Sequence, residues 1–214
     1  MVAIVSNEAE VRRLLDRYLV EVVETYGLCP WAKSARTSGE VSVKILWGVR
    51  PSIDEWVAAA NDLMAIPTTR VAMILAPELS LTMAEFHVDR EQVGRRVETC
   101  GVADFHPDGE LDTGTPSRLV SFLRRSPVPL MQFVPLKILD AIRAQTSMHV
   151  LSEQARALGG IAFNDPDDIG DEIAATNHKR ALADGTEMKR ILDDIAADRR
   201  RSYPRAGITI NTIR

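Results

Sequence analysis

The chain has 214 residues, 45% of them hydrophobic and 26% charged, which is enough for a sizeable core without disulfide or metal staples and too apolar for disorder. Lys and Arg number 26 against 30 Asp and Glu, and the net charge of -4 argues against a nucleic-acid partner, because phosphate backbones select clustered positive charge. With no basic leader in MVAIVSNEAEV, no window near the ~20 apolar residues of a membrane span, and two cysteines that form neither a disulfide framework nor a CxxC pair, a cytoplasmic protein with free thiols and no membrane partner is expected.

Val11, Leu14, Leu15, Tyr18, Leu19, Val22, Val23 and Tyr26 recur at helical spacing opposite a charged face, and Gly27 supplies a stop. LCPWAKSARTSGE then reads as a short helix opening near Pro30, a residue suited to a first helical turn. VSVKILW (41–47) is β-branched and predicts a strand. The Ser52–Glu55 spacing is a capping box that opens a helix burying Ile53, Trp56, Val57, Ala60 and Leu63. RVAMILA (70–76) is the continuous apolar run of a strand covered on both faces. A longer helix starting at Ser80 or Thr82 is expected to last to about Cys100, followed by a third strand over GVADFH (101–106).

Thr115-Pro116 opens a short helix to Arg124, LMQFV (130–134) is a fourth strand, and Pro135 leads a helix through Ile142. From about 148 the chain reads as helices, with a break at Gly159-Gly160 and a start at Asp165-Pro166. Arg199, Arg200 and Arg201 read as charge at a helix C-terminus, not as a phosphate clamp. The closing AGITINTIR reads as extended, an arm for a neighbouring element or for a second subunit of a homo-oligomer. Strands separated by helices give the fold class: α/β, a layered, mixed but mostly parallel sheet of about four strands flanked by helices. The expected division is an α/β core over 1–147 and a helical C-terminal extension over 148–214 packed on it.

Three places carry residues suited to chemistry. Cys29 stands just before Pro30, where a helix N-terminus favours a thiolate, as nucleophile or metal ligand; the alternative is a small apolar residue between Leu28 and Trp31. Cys100, at a helix end, reads as core. His106 ends the third strand in ADFHPDGELDTGTP, and ligands of open α/β sheets bind beyond the strands' carboxyl ends. Asp104, His106 and Asp108 alternate, so a carboxylate and an imidazole on one face suit acid–base work or a divalent metal; a plain loop histidine is the alternative. His87, His149 and His178 read as solvent-exposed.

Third, Arg125 and Ser126 precede a proline-fixed turn and suit an anionic group; the alternative is helix C-terminal charge and a turn. If the helix from Pro30 to about Ser38 packs antiparallel against strand 41–47, Cys29 and His106 fall at one edge of a parallel sheet. Arg125 joins them only if strand 130–134 runs antiparallel to its neighbours.

GLCPWAKSARTSGEVSV, ADFHPDGE and RRSPVPLMQFV together resemble the family catalogued as bacterial domain of unknown function fourteen-fifteen, over roughly residues 10–145. Its Cys-Pro-aromatic-Ala, Phe-His-Pro and Arg-Ser-Pro-x-Pro segments match here at Cys29, Pro30, Ala32, His106, Pro107, Arg125, Ser126, Pro127 and Pro129. Gln132 stands near the place of a second histidine in that family, which marks a diverged member. The resemblance implies a location for the site and no reaction.

The functional expectation is an enzyme acting on an anionic small molecule at a Cys/His/Arg pocket. Cys29 and His106 are its candidate catalytic residues, and Arg125, Ser126, Asp108 and Trp31 its candidate substrate contacts. Two other readings stand beside it. One is a haem- or metal-binding protein using Cys29, Asp104 or His106 as ligands, and the other is a non-catalytic interaction module with Cys29 buried.

Overall fold

A computed structural model describes residues 6–29, 31–112, 114, 116–141 and 168–211. Helix α1 (Asn7–Tyr18) is capped by the Ser6 hydroxyl and passes into a π-helical segment, Leu19–Glu24, where backbone bonds run five residues back, as from Leu28 N–H to the Val23 carbonyl. Gly27 stops it with φ +55°. Next come α2 (Ala32–Thr37), β1 (Val41–Ile45), α3 (Ile53–Met64), β2 (Val71–Leu75) and α4 (Met83–Gly94). They are followed by β3 (Cys100–Phe105), α5 (Pro116–Leu123) and β4 (Leu130–Pro135); residues 136–141 are helical again. The long helix α6 (Asp168–Ser202) and a 3-10 turn, Pro204–Ala206, complete the described chain.

Reciprocal capping boxes start α3 (Ser52 with Glu55) and α4 (Thr82 with Glu85). Helix α4 ends at Gly94, earlier than expected, and Cys100 opens β3 instead of closing a helix. The expected continuation of the helix after Pro135 to Ile142, the Gly159-Gly160 break and the Asp165-Pro166 start fall wholly or partly outside the described residues.

The fold is α/β: a four-stranded mixed sheet, order β1-β2-β4-β3, with helices on both faces. The pairing corrects one expectation. β1 and β2 are parallel, but β4 lies antiparallel between β2 and β3, so two of the three pairings are antiparallel. Helix α5 is short: its 8 residues climb about 12 Å, whereas a six-residue strand spans about 20 Å, so the helix by itself does not carry the chain to the far edge of the sheet. The chain re-enters at the edge it left after Phe105, and β4 runs back against β3.

Alternation along the strands assigns each side chain to a layer. Ala72, Ile74, Met131 and Phe133 join α3 and α4 through Trp56, Ala60, Phe86 and Val93. Met73, Leu75 and Leu130 meet α1, α5 and α6 through Leu14, Leu15, Phe122, Met188, Leu192 and Ile195. Ion pairs reinforce the second layer, with Arg17 bonding Asp194 at 2.9 Å and Asp198 at 2.7 Å, and Arg13 bonding Asp198 at 2.9 Å. The closing segment packs on its own chain. Ile208 is buried, and the Asn211 amide donates to the Glu78 carbonyl at 2.5 Å.

Phe133 is fully buried between β2, β3 and the α3–α4 layer. Phe133→Ala is expected to cost about 3–5 kcal/mol in urea unfolding, the range for large core truncations. Val49→Ala, in an exposed turn, should stay within about 0.5 kcal/mol.

Candidate functional site

Because β4 runs antiparallel, its leading turn sits at the sheet edge where β2 and β3 end. A cavity of about 300 Å³ opens there, walled by Pro77 and Leu79 after β2, His106–Asp108 after β3, and Arg125 and Pro129 before β4. Helix α6 contributes Arg199 and Arg200, and the closing segment contributes Ile210 and Asn211. Arg125 knits the walls together: its Nε donates to the Pro107 carbonyl at 3.1 Å and its Nη2 to Asp193 on α6 at 2.8 Å. Arg199 donates to the Pro127 carbonyl at 2.6 Å and lies 5.8 Å from the centroid of the Tyr203 ring. Burial pulls its pKa below the ordinary guanidinium range. Arg200 makes no ion pair with a described residue. Gly109 packs so tightly that a Cβ there would overlap the Ser121 carbonyl on α5, which fixes the path of the His-Pro-Asp-Gly loop.

His106 is buried, and both ring nitrogens are engaged. Nδ1 accepts from the Asp108 N–H at 3.3 Å, which leaves the proton on Nε2 to be donated to the Leu81 carbonyl at 3.1 Å. Burial is the main reason its pKa lies below the ordinary histidine value, and Arg199 acts the same way. The Asp108 carboxylate, 3.6 Å from Nδ1, opposes them together with the Leu81 carbonyl and Asp104.

Cys29 opens onto a different cavity. That space, of about 410 Å³, lies on the helix-covered sheet face, floored by Val71 and Met73 of β2 and by Leu130 and Gln132 of β4. The π-helical segment, α2 and α5 close over it with Leu19, Val23, Ala35 and Leu123. Trp31 and Tyr18 also line it. The Tyr18 hydroxyl is buried with no hydrogen-bond partner, a state that costs about 1–3 kcal/mol relative to a satisfied hydroxyl. Burial drives its pKa well above the usual phenol value, with Arg124 opposing and Cys29 adding to the rise.

The candidate residues thus divide. His106, Asp108 and Arg125 share the strand-end cavity, while Cys29 and Trp31 line the apolar one, beside Gln132. Ser126 lines neither: buried, it donates its hydroxyl to the Val128 carbonyl at 2.5 Å and holds the turn. Asp104 meets His87 at 3.0 Å, Arg90 at 3.3 Å and Arg124 at 3.5 Å; the two arginine contacts are ion pairs without hydrogen-bond geometry. His87 is exposed, as expected, and its Nδ1 also forms a hydrogen bond with the Asp104 carboxylate. Cys29, Asp104 and His106, the candidate metal or haem ligands, occupy three separate settings. Among the described residues, no group of three or more His, Cys, Asp or Glu gathers for a metal.

Sequence reasoning missed Tyr18, Arg124, Arg199, Arg200 and Asn211. Tyr18 hides in a stripe of helix-spaced core residues, and the arginines carry the signature of helix ends, where α5 and α6 do stop. No family model, curated protein or solved structure matches the chain. The likeness of the three segments to the bacterial family stands on those segments alone. No helix among the described residues is long and apolar enough to cross a membrane.

The neutral His106 ring sets a pH dependence. The unfolded ring takes up its proton near pH ~6.5 and the folded one only at lower pH. Its contribution to stability is therefore complete above about pH 6.5 and declines as the pH falls toward the folded value. Urea midpoints between about pH 7.5 and 5.5 should fall in the wild type and fall less in His106→Gln. Equal slopes in the two proteins would contradict the buried neutral ring.

Proposed function

We propose that this protein recognises a small anionic molecule, bearing a phosphate or carboxylate group, in the strand-end cavity. The observation that carries the reading is that three arginines, Arg125, Arg199 and Arg200, line a space whose lining includes one carboxylate, Asp108. Asp193 offsets part of Arg125 but also serves Lys189 at 2.6 Å, so positive charge is left over. Planar forked donors match the oxygens of such anions, and Arg125 and Arg199 are half-buried, which strengthens their contacts. Asn211 adds a neutral amide at the rim. The setting beyond the carboxyl ends of β2 and β3 is where open α/β sheets take ligands.

Arg125 and Arg199 are tied to carbonyls and arrive preorganised, which lowers the ordering cost of binding. Arg200 is the guanidinium left for the ligand. The expected acid–base role for His106 has less support, since both of its nitrogens serve the backbone. Cys29 takes no part in this reading because it lies in the other cavity.

Inorganic pyrophosphate is the probe. Calorimetric titration at low salt should show binding that weakens as salt is added. Arg200→Gln should weaken it about tenfold or more, the value of one charged hydrogen bond. Arg205→Gln, on the 3-10 turn, should leave it unchanged. Absence of binding at millimolar probe, or equal affinity in Arg200→Gln, would overturn the reading.

A further inference from the structure

The apolar cavity lies on the opposite side of the same loops, and its lining is unusual in one respect. Carbon dominates the wall, yet six polar side chains reach it: Tyr18, Cys29, Arg36, Arg124, Gln132 and Asn177. Two of these are already occupied. Arg36 forms a two-pronged pair with Glu24, at 2.6 and 3.1 Å, and the Asn177 amide donates to the Leu28 carbonyl at 3.4 Å. The Tyr18 hydroxyl has no partner although the residue is 3% exposed. Arg124 lies 6.0 Å from the Phe105 ring centroid, and its nearest carboxylate, Asp104, is also claimed by Arg90. Two arginines facing one carboxylate leave a net positive charge beside the cavity, and among the described residues no acidic one lines it.

Walls this apolar hold ordered water poorly, and a buried hydroxyl left unpaired calls for an acceptor, while the Arg124 side chain, 40% exposed, is free to turn toward one. We infer that this cavity is a binding site for an amphipathic carboxylic acid, with its hydrocarbon body against the sheet face and its carboxylate received by Tyr18, Arg124 and Gln132. The size suits it, since small-molecule pockets begin at about 300 Å³ and combine apolar walls with a few convergent polar groups. The carboxylate would accept the Tyr18 proton that no group among the described residues accepts, and the burial that isolates this hydroxyl would strengthen the bond. Cys29 stands in the wall as a reporter, because Cys100, the other cysteine, is buried in the opposite layer.

Decanoate and decanol, equal in chain length and different in head group, serve as probes for the whole chain. The readouts are calorimetric affinity and the rate at which N-ethylmaleimide alkylates Cys29, followed by intact mass. Decanoate should bind about tenfold or more tightly than decanol and slow the alkylation of Cys29. Tyr18→Phe and Arg124→Gln should each erode most of that head-group preference while leaving decanol unchanged, and Ala32→Trp should block both probes by filling the space. Equal affinity for the two probes, decanoate binding that leaves Cys29 alkylation unaltered, or full decanoate affinity in Arg124→Gln would each overturn the inference. So would no binding of either probe at millimolar concentration. Ala32 and Cys29 do not line the strand-end cavity, so pyrophosphate should still bind Ala32→Trp and the two sites are tested separately.

Discussion

Everything in this fold follows from the strand that runs the wrong way. β4 enters between β2 and β3, pairs antiparallel with both, and supplies hydrogen bonds to two neighbours that would otherwise have none in common. Its side chains lie at the centre of both layers, Met131 and Phe133 toward α3 and α4, Leu130 and Gln132 toward α1 and α5. Because it runs backward, the Arg-Ser-Pro-Val-Pro turn lands at the edge where β2 and β3 end. Two loops far apart in sequence thereby become the walls of one cavity.

The remaining elements secure that arrangement. Arg125 binds the His-Pro loop to α6, Arg199 binds α6 to the proline turn, and Ser126 holds the turn itself. Helix α6 is fastened to α1 at its far side by apolar packing and by the ion pairs of Arg13 and Arg17. Exposed ion pairs contribute little singly, but these share acceptors, and Asp198 serves both arginines. Helix α6 and the closing segment are thus part of the wall of the strand-end cavity, and more than a covering layer.

Much of this was legible in the sequence because helices and strands announce themselves by period. The strands at 41–47, 70–76, 101–106 and 130–134 all exist, and the Ser52 cap sits where its spacing required. Strand direction was not legible, because a run such as LMQFV reads alike in either sense and the loops on both sides of α5 are long enough for either. The grouping of the site was not legible either. Cys29 lines the cavity on the sheet face and His106 the one beyond the strand ends, and neighbours such as Phe105 and His106 face opposite sides. Tyr18 looks like core because it is core, and only its unanswered hydroxyl marks it out. Arg199 and Arg200 obey the rule that cations gather at helix C-termini, which conceals any second use.

The partition between the cavities runs through single peptide links. Phe105 faces one cavity and His106 the other; the same holds for Arg124 and Arg125, and for Leu130 and Pro129. A rigid wall one residue thick has no slack in which a displacement can be lost, since packed interiors transmit strain instead of absorbing it. Ligands on the two sides would then be thermodynamically linked through these three joints. Linkage of that kind is reciprocal: whatever factor the first imposes on the affinity of the second, the second returns to the first.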